Sequence, residues 1–349
     1  MKARRDFIKK SMLATMVSVG GAGGFSMAKP AISRSIKEFS MAMSWPKASP
    51  GPALAAQYFA DELSKASDGR LRVQLYGAGE LVPGLEVFDA TSNHGVDMAH
   101  SASFYWSGKL PGATLFTTVP FGLSPAAHQA WLQEGGGNPL WQKLYGDFNL
   151  IPMAAGNTGT HMAGWFTRPI HGLDDIKGLK IRMAGLGAEL FRQMGATTML
   201  LPPSQITPSL ASGLIDGAEF LGPWIDSGFG FQKYANYYYA PGFNKPNGTS
   251  ELLINTSLWQ SLSASDQALI TQLAKATHDA SLNMANWQNA LHYRQLNPYI
   301  HHLPQDVLDK AAKLAPDILA AAFDQDKQTQ TIYESYKQAQ KHASPWLNI

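Results

Sequence analysis

No cysteine occurs among the 349 residues, so disulfide staples, thiolate nucleophiles and sulfur-rich metal sites are all excluded. The core must hold by packing alone. The chain carries no Gly-x-Ser-x-Gly elbow, no His-Glu-x-x-His helix and no phosphate-binding Gly-x-x-x-x-Gly-Lys loop, and those chemistries therefore have no motif to start from. Net charge is small, +2 at pH 7. Five basic residues (Lys2, Arg4, Arg5, Lys9 and Lys10) and a single acid (Asp6) lie in the first 28 positions, leaving the remainder slightly acidic. Such a chain offers no basic field to nucleic acid or anionic lipid. Past the N-terminal segment no apolar run is long enough to cross a bilayer.

What is present begins with an address. Arg4-Arg5-Asp6-Phe7-Ile8-Lys9-Lys10 precedes a weakly hydrophobic stretch from Met12 to Phe25, the pattern of a twin-arginine export signal. Ser26-Met27-Ala28 supplies small residues for cleavage after Ala28. Gly20, Gly21, Gly23 and Gly24 argue against an anchoring helix, and no strand precedes them as a nucleotide loop requires. Residues 1–28 are thus predicted to be a signal, and the periplasm is the expected location.

A mature chain near 320 residues exceeds what one core usually organises, which predicts two lobes. Phe39–Trp45, a helix through Leu54, Tyr58, Phe59 and Leu63, the alternating strand Leu71–Tyr76, a short helix Leu85–Ser92 and Val96–Ala99 give a βαβαβ opening. That order favours a mostly parallel sheet covered by helices. Extended runs at Leu150–Ala155 and His161–Phe166 mark a crossing into a second α/β unit. Thr249–Asn255 alternates as a strand returning to the first. Long helices follow over 264–296 and 305–342, the latter expected to bend or restart at Pro316. The predicted organisation is lobe I over 36–157, lobe II over 158–246, and a return strand with C-terminal helices over 247–349. The expected fold class is α/β, two-lobed with a hinge, a ligand cleft between the lobes and long C-terminal helices.

Two residues carry the chemistry. Arg182 ends the strand-like run Gly178-Leu179-Lys180-Ile181-Arg182, and Glu219 follows Ile215-Asp216-Gly217-Ala218. An arginine at a strand end presents a planar fork that fits a carboxylate. A nearby glutamate serves the same anion only if a cation lies between them. The pair points to a receptor for a small organic acid, with or without a metal ion.

Longer motifs extend this reading. Arg182 in Gly-Leu-Lys-Ile-Arg, Asp216-Gly217-Ala218-Glu219, Gly222-Pro223-Trp224, Tyr237-Tyr238-Tyr239, Pro241-Gly242 and, earlier, Gly79-Glu80-Leu81-Val82, Tyr105-Trp106 and Val119-Pro120-Phe121-Gly122 span nearly all of the mature chain. Together they resemble the solute receptors of TRAP (tripartite ATP-independent periplasmic) transporters, of the dicarboxylate-receptor type. Within that family the chain is most similar to the branch binding 2-oxo and 2-hydroxy monocarboxylates such as pyruvate, other α-keto acids and lactate. The resemblance implies that Arg182 grips the ligand carboxylate. It also implies that Glu219 and the main-chain oxygen of Phe220 bind a sodium or calcium ion. Membrane-embedded TRAP permease subunits are the implied partners, and relatives that exchange a C-terminal helix imply a homodimer.

One position departs from the family. Where relatives read Gln-Met-Gly-Gly-Trp and use the glutamine to complete the metal site, this chain has His161-Met162-Ala163-Gly164-Trp165. A glutamine carbonyl suits hard cations, whereas imidazole favours zinc or another transition metal. Three readings of His161 stay open: direct contact with the substrate's oxygen, ligation of a changed metal, or an ordinary strand histidine. Tyr105 is read as a phenol donor, Asn157 as a hydrogen-bond donor at the crossing, and Trp165 as a wall, with Trp224 and Phe229 beside it. Tyr237–Tyr239 is read as structural, an inter-lobe or dimer contact, and His301-His302 as a solvated loop. The rival function is a secreted hydrolase or lyase acting on a small organic acid with Glu219 or His161 as base.

Overall fold

The protein's structure, a computed structural model, describes residues 36–347; the signal expected over residues 1–28 lies outside the described residues. Strand β1 (Lys37–Met43) is followed by helix α1 (Pro52–Ala66), which starts with proline at its first turn, where a missing N–H costs nothing. Ala53, Ala56, Phe59, Ala60 and Leu63 form its buried face, and burial of a side chain such as Phe59 contributes roughly 1.5–3 kcal/mol. Strand β2 (Leu71–Tyr76), helix α2 (Val87–Ser92) and strand β3 (Met98–Ser101) complete the βαβαβ opening. Two further helices, α3 (Pro125–Gln133) and α4 (Gly137–Gly146), lead into β4 (Leu150–Asn157).

The second unit starts with β5 (Gly164–Phe166) and β6 (Lys180–Arg182), then α5 (Gly187–Gln193), β7 (Thr197–Met199), α6 (Pro203–Ala211), β8 (Gly217–Ala218), α7 (Pro223–Phe229) and β9 (Tyr237–Ala240). β10 (Thr249–Asn255) returns to the first sheet and is followed by α8 (Thr256–Ser261) and α9 (Ala264–Gln295). Ser263 caps α9 by accepting from the Asp266 N–H at 3.2 Å. At 32 residues α9 is about 48 Å long. It packs on α1 and β4 of the first lobe and on α7 of the second, and so braces the two. β11 (Ile300–His302), α10 (Gln305–Phe323) and α11 (Lys327–Leu347) end the described chain.

The first sheet has the order β2-β1-β3-β10-β4, and the second β11-β9-β5-β8-β6-β7. β1 pairs parallel to β2 and β3, as the βαβαβ order predicted, whereas β10 runs antiparallel to both of its neighbours, β3 and β4. Both sheets are therefore mixed. The C-terminal segment serves both lobes. β11 joins the second sheet, α10 packs Val307, Ala311, Ala315 and Ile318 into that lobe's core, and α11 sends Ile332 and Tyr336 into the core of the first.

Three local expectations are corrected. Pro316 lies inside α10 without ending it, because the buried residues on either side hold the helix through the proline. The interruption falls at 324–326 instead, where Asp326 accepts from the Thr329 N–H at 2.8 Å and restarts the chain as α11. Tyr237–Tyr239 is not an inter-lobe contact but strand β9 of the second sheet, with Tyr238 stacked on Trp165 at 4.1 Å inside the second lobe. His301-His302 is not a loop: both residues belong to the edge strand β11, with exposed side chains.

Candidate functional site

Arg182 and Glu219 occupy matching places in adjacent strands. β6 and β8 run parallel, pairing Arg182 with Ala218, and the Glu219 N–H donates to the Arg182 carbonyl at 2.9 Å. Both side chains therefore leave the carboxyl end of the parallel strands, where ligands gather in open α/β sheets. β6 alternates an exposed Lys180 with a buried Ile181, yet Arg182 is also buried, with 0% exposure. Its Nε donates to the Leu201 carbonyl at 3.1 Å and its Nη1 to the Glu219 carbonyl at 2.7 Å, and the guanidinium lies over the Phe220 ring at 5.3 Å. Among the described residues Nη2 has no hydrogen-bond acceptor. A buried guanidinium nitrogen without an acceptor is costly, which marks it as a place for an anion.

Glu219 is also at 0% exposure. Oε1 lies 2.5 Å from Lys245 Nζ, an ion pair rather than a well-aligned hydrogen bond, and Oε2 lies 3.8 Å from Arg182 Nη1. Lys245 Nζ also donates to the Phe220 carbonyl at 2.8 Å and sits 4.8 Å from the centre of the Phe104 ring. Burial pushes the Lys245 pKa down, opposed by the Glu219 carboxylate and assisted by Arg182. Two buried cations thus share one glutamate. Asp226, a further buried acid, is only partly ionised at neutral pH: burial raises its pKa to about 7, while Tyr238 Oη and the Leu221 N–H donate to it at 2.9 and 3.0 Å.

The crossing segments supply the opposite wall. Thr158, just after β4, pairs its N–H with the Gly248 carbonyl at 3.0 Å, so the outgoing and returning chains meet there. His161 Nε2 lies 2.6 Å from Thr158 Oγ1, and its buried Nδ1 has no hydrogen-bond partner among the described residues. Burial, and then the charge of Lys245, drive its pKa well below 6.5, so the ring is neutral. Gly248 is required for this approach, because a Cβ there would overlap both Thr158 Oγ1 and the His161 ring. Tyr105 reaches the same cavity from a 3-10 turn after β3 (Ser103–Trp106). Burial raises its phenol pKa, and the Arg182 guanidinium draws it partly back.

Tyr105, His161, Phe220 and Lys245 line one cavity with Phe104, Thr158 and the Gly248 backbone, and Arg182 and Glu219 stand directly behind Phe220 and Lys245. Two sequence candidates are placed elsewhere. Asn157 Nδ2 is engaged with Asn247, Thr249 and His278, and its Oδ1 accepts from the Gly159 N–H, so it ties the crossing strands together. Trp165 is at 0% exposure in the second lobe's core. Trp224 lines a neighbouring crevice, and Phe229 backs Phe220 edge-on at 5.0 Å. Lys245 was missed by sequence reasoning. It stands between Phe243 and the turn Asn247-Gly248, where a lysine ordinarily points to solvent, and no periodic signal marks it.

The residues to which the resemblance assigns a cation do not form a vacant set of donors. Glu219 and the Phe220 carbonyl both face an ammonium, and His161 Nε2 is turned to Thr158. Among the described residues no group of three or more His, Cys, Asp or Glu gathers as a metal site.

Comparison with known proteins gives a consistent result. Residues 41–301 match the model of bacterial extracellular solute-binding protein, family 7. The chain is 36% identical over 319 residues to a monocarboxylate 2-oxoacid-binding periplasmic protein of Nostoc sp., covering 88% of this chain and 85% of the relative. Among solved structures, a TRAP periplasmic solute binding protein from Pseudoalteromonas atlantica with bound sodium and pyruvate superposes with a TM-score of 0.86 at 30% identity, covering 89% of this chain and 96% of that one. One from Colwellia psychrerythraea with bound calcium and pyruvate gives 0.86 at 28%, covering 90% and 97%. A TRAP transporter solute binding protein from Bordetella bronchiseptica, a dimer with copurified calcium and picolinate, gives 0.87 at 29%, covering 90% and 94%.

Proposed function

The chain belongs to family 7 of the bacterial extracellular solute-binding proteins, and from that premise we propose that its cavity captures a 2-oxo monocarboxylate, with pyruvate as the type compound, for a TRAP permease. It is a periplasmic solute receptor of a TRAP transporter, binding small organic acids. The family is one of receptors, which sets aside the hydrolase or lyase alternative.

The observation that carries the ligand class is the charge balance: Arg182 and Lys245, both buried, face a single carboxylate, Glu219. The surplus of one positive charge is complementary to a monoanion. In this reading Arg182 Nη2 meets the ligand carboxylate, Tyr105 donates its phenol, and His161 turns its neutral ring toward the 2-oxo oxygen. The lobes of 36–157 and 158–246 close about the Thr158–Gly248 crossing, braced by helices of 247–349. Closure is driven by contacts made only in the shut form.

Isothermal titration of the purified protein with pyruvate, lactate and succinate tests the proposal. Pyruvate is expected to bind more tightly than succinate and to raise the melting temperature without being consumed. Preference for the dianion, or turnover of the acid, would refute it. Two finer points belong to the same reading. The Arg4-Arg5 signal directs export, which should fail on replacing both by lysine. A dimer through the C-terminal helix α11 is what the family resemblance implies, and the Bordetella relative is a dimer, although α11 here buries Ile332 and Tyr336 on its own chain. Light scattering that gives only monomer would remove the dimer.

A further inference from the structure

We propose that the ammonium of Lys245 takes the place of the metal ion that sodium- and calcium-containing relatives hold beside their ligand, so that this receptor binds its acid without a metal. The inference rests on the 2-oxo acid reading for the identity of the ligand, though not for the behaviour of the lysine.

Geometry carries it. The Glu219 carboxylate and the Phe220 carbonyl are the two groups that the resemblance gives to the cation, and Lys245 Nζ touches both, at 2.5 and 2.8 Å. An ion bound to those oxygens would have to sit where the ammonium already is. Lys245 is 2% exposed, with the Phe104 ring 4.8 Å from Nζ, so it is fixed by packing rather than resting there loosely. One N–H of the ammonium donates to the Phe220 carbonyl, its charge is paired with Glu219, and donor capacity remains for the cavity that the side chain lines.

The third donor position agrees. His161 stands where relatives use glutamine, and its Nε2 is bonded to Thr158 Oγ1 at 2.6 Å. A neutral imidazole tolerates an adjacent ammonium, whereas a glutamine carbonyl would be drawn to it or to a hard cation. Charge also balances: a divalent ion added to Arg182 and Lys245 would leave three uncompensated positive charges against Glu219, and one monocarboxylate offsets a single charge. His161 and Lys245 therefore act together, an organic cation serving where an inorganic one would sit.

The test starts with the unaltered protein. After dialysis against a chelator in sodium-free buffer, calorimetric titration with pyruvate should give the same affinity as in millimolar calcium or in sodium, and titration with calcium chloride alone should give no saturable heat. Loss of about tenfold or more in pyruvate affinity on chelation, restored by calcium or sodium, would overturn the lysine proposal while leaving the receptor reading intact. Saturable calcium binding to the acid-free protein would overturn it too. Failure to bind any 2-oxo acid under every ionic condition would instead sink the receptor reading, and the calcium titration would still judge the lysine. Lys245→Met combined with His161→Gln should lose about tenfold or more in pyruvate affinity in chelator and recover it with calcium. A double variant that folds and binds equally well with and without the ion contradicts the proposal.

Discussion

Glu219 and Glu251 are both fully buried glutamates, each beside an aromatic cluster, and they are handled in opposite ways. Glu219, at the end of the second lobe's parallel strands, is surrounded by Arg182 and Lys245. Glu251, on β10 in the first lobe, meets only neutral donors: Trp106 Nε1 at 2.6 Å and Tyr145 Oη at 3.0 Å. Burial raises the Glu251 pKa to about 8. One lobe keeps a charged network that reaches its cavity through Lys245, and the other neutralises its acid by protonation. The difference teaches that burial of a carboxylate is not itself a sign of function; what matters is whether cations come with it and whether one of them retains a free donor.

Removing the acid is the sharpest way to break the comparison. Glu219→Gln should cost roughly 3–5 kcal/mol of stability in urea unfolding, because two buried cations lose their counter-charge, whereas Glu251→Gln should be near neutral at pH 5. Equal losses at that pH would erase the distinction. Arg182→Met should leave the fold intact but lower pyruvate affinity by roughly 2–5 kcal/mol in calorimetry, and unchanged affinity would take Arg182 out of the site.

The Glu251 arm is read through pH. Its folded pKa of about 8 lies above the ordinary 4.5, so between those values the folded chain keeps a proton that the unfolded chain has released. The stability it contributes is full below pH 4.5 and is lost as pH rises through 8. Relative to wild type, Glu251→Gln should therefore gain roughly 4 kcal/mol between pH 5 and pH 9. The difference cancels His100 and His128, whose pKa values burial lowers to about 4 and which act oppositely below pH 6.5. A gap that does not widen with pH would show Glu251 to be charged. The smallest effect is expected for Tyr105→Phe, a loss of about 1 kcal/mol in ligand affinity; none at all would make the phenol a packing group.

Much of this arrangement was legible before any coordinates. Leu71–Tyr76 and Thr249–Asn255 are strands over the ranges that their alternation indicated, and Arg182 and Glu219 sit together because each ends a short apolar run that forms a neighbouring parallel strand. Helices α3 and α4 escaped notice because Gly135, Gly136 and Gly137 break the apolar pattern between them, and Trp131 and Trp141 bury from either side of the break. Lys245 was invisible for a different reason. A lysine is called to a core by a carboxylate far away in sequence, and nothing in Phe243-Asn244-Lys245-Pro246 reports Glu219. Asn157 and Trp165 went the other way: their types suit a ligand, but nearer neighbours, Asn247 and Tyr238, already satisfy or stack on them.

The antiparallel β10 has a consequence for assembly. It is threaded between β3 and β4, strands that precede it by about a hundred residues or more, so neither obtains it as a neighbour until residues 158–246 have been synthesised. A nascent chain halted at Pro246 would carry two naked β edges, open to sticking to other chains, and such a truncation should aggregate in sedimentation where the full chain does not. The two halves of this receptor are therefore bound together in the order of their making, and the lobe begun first is finished last.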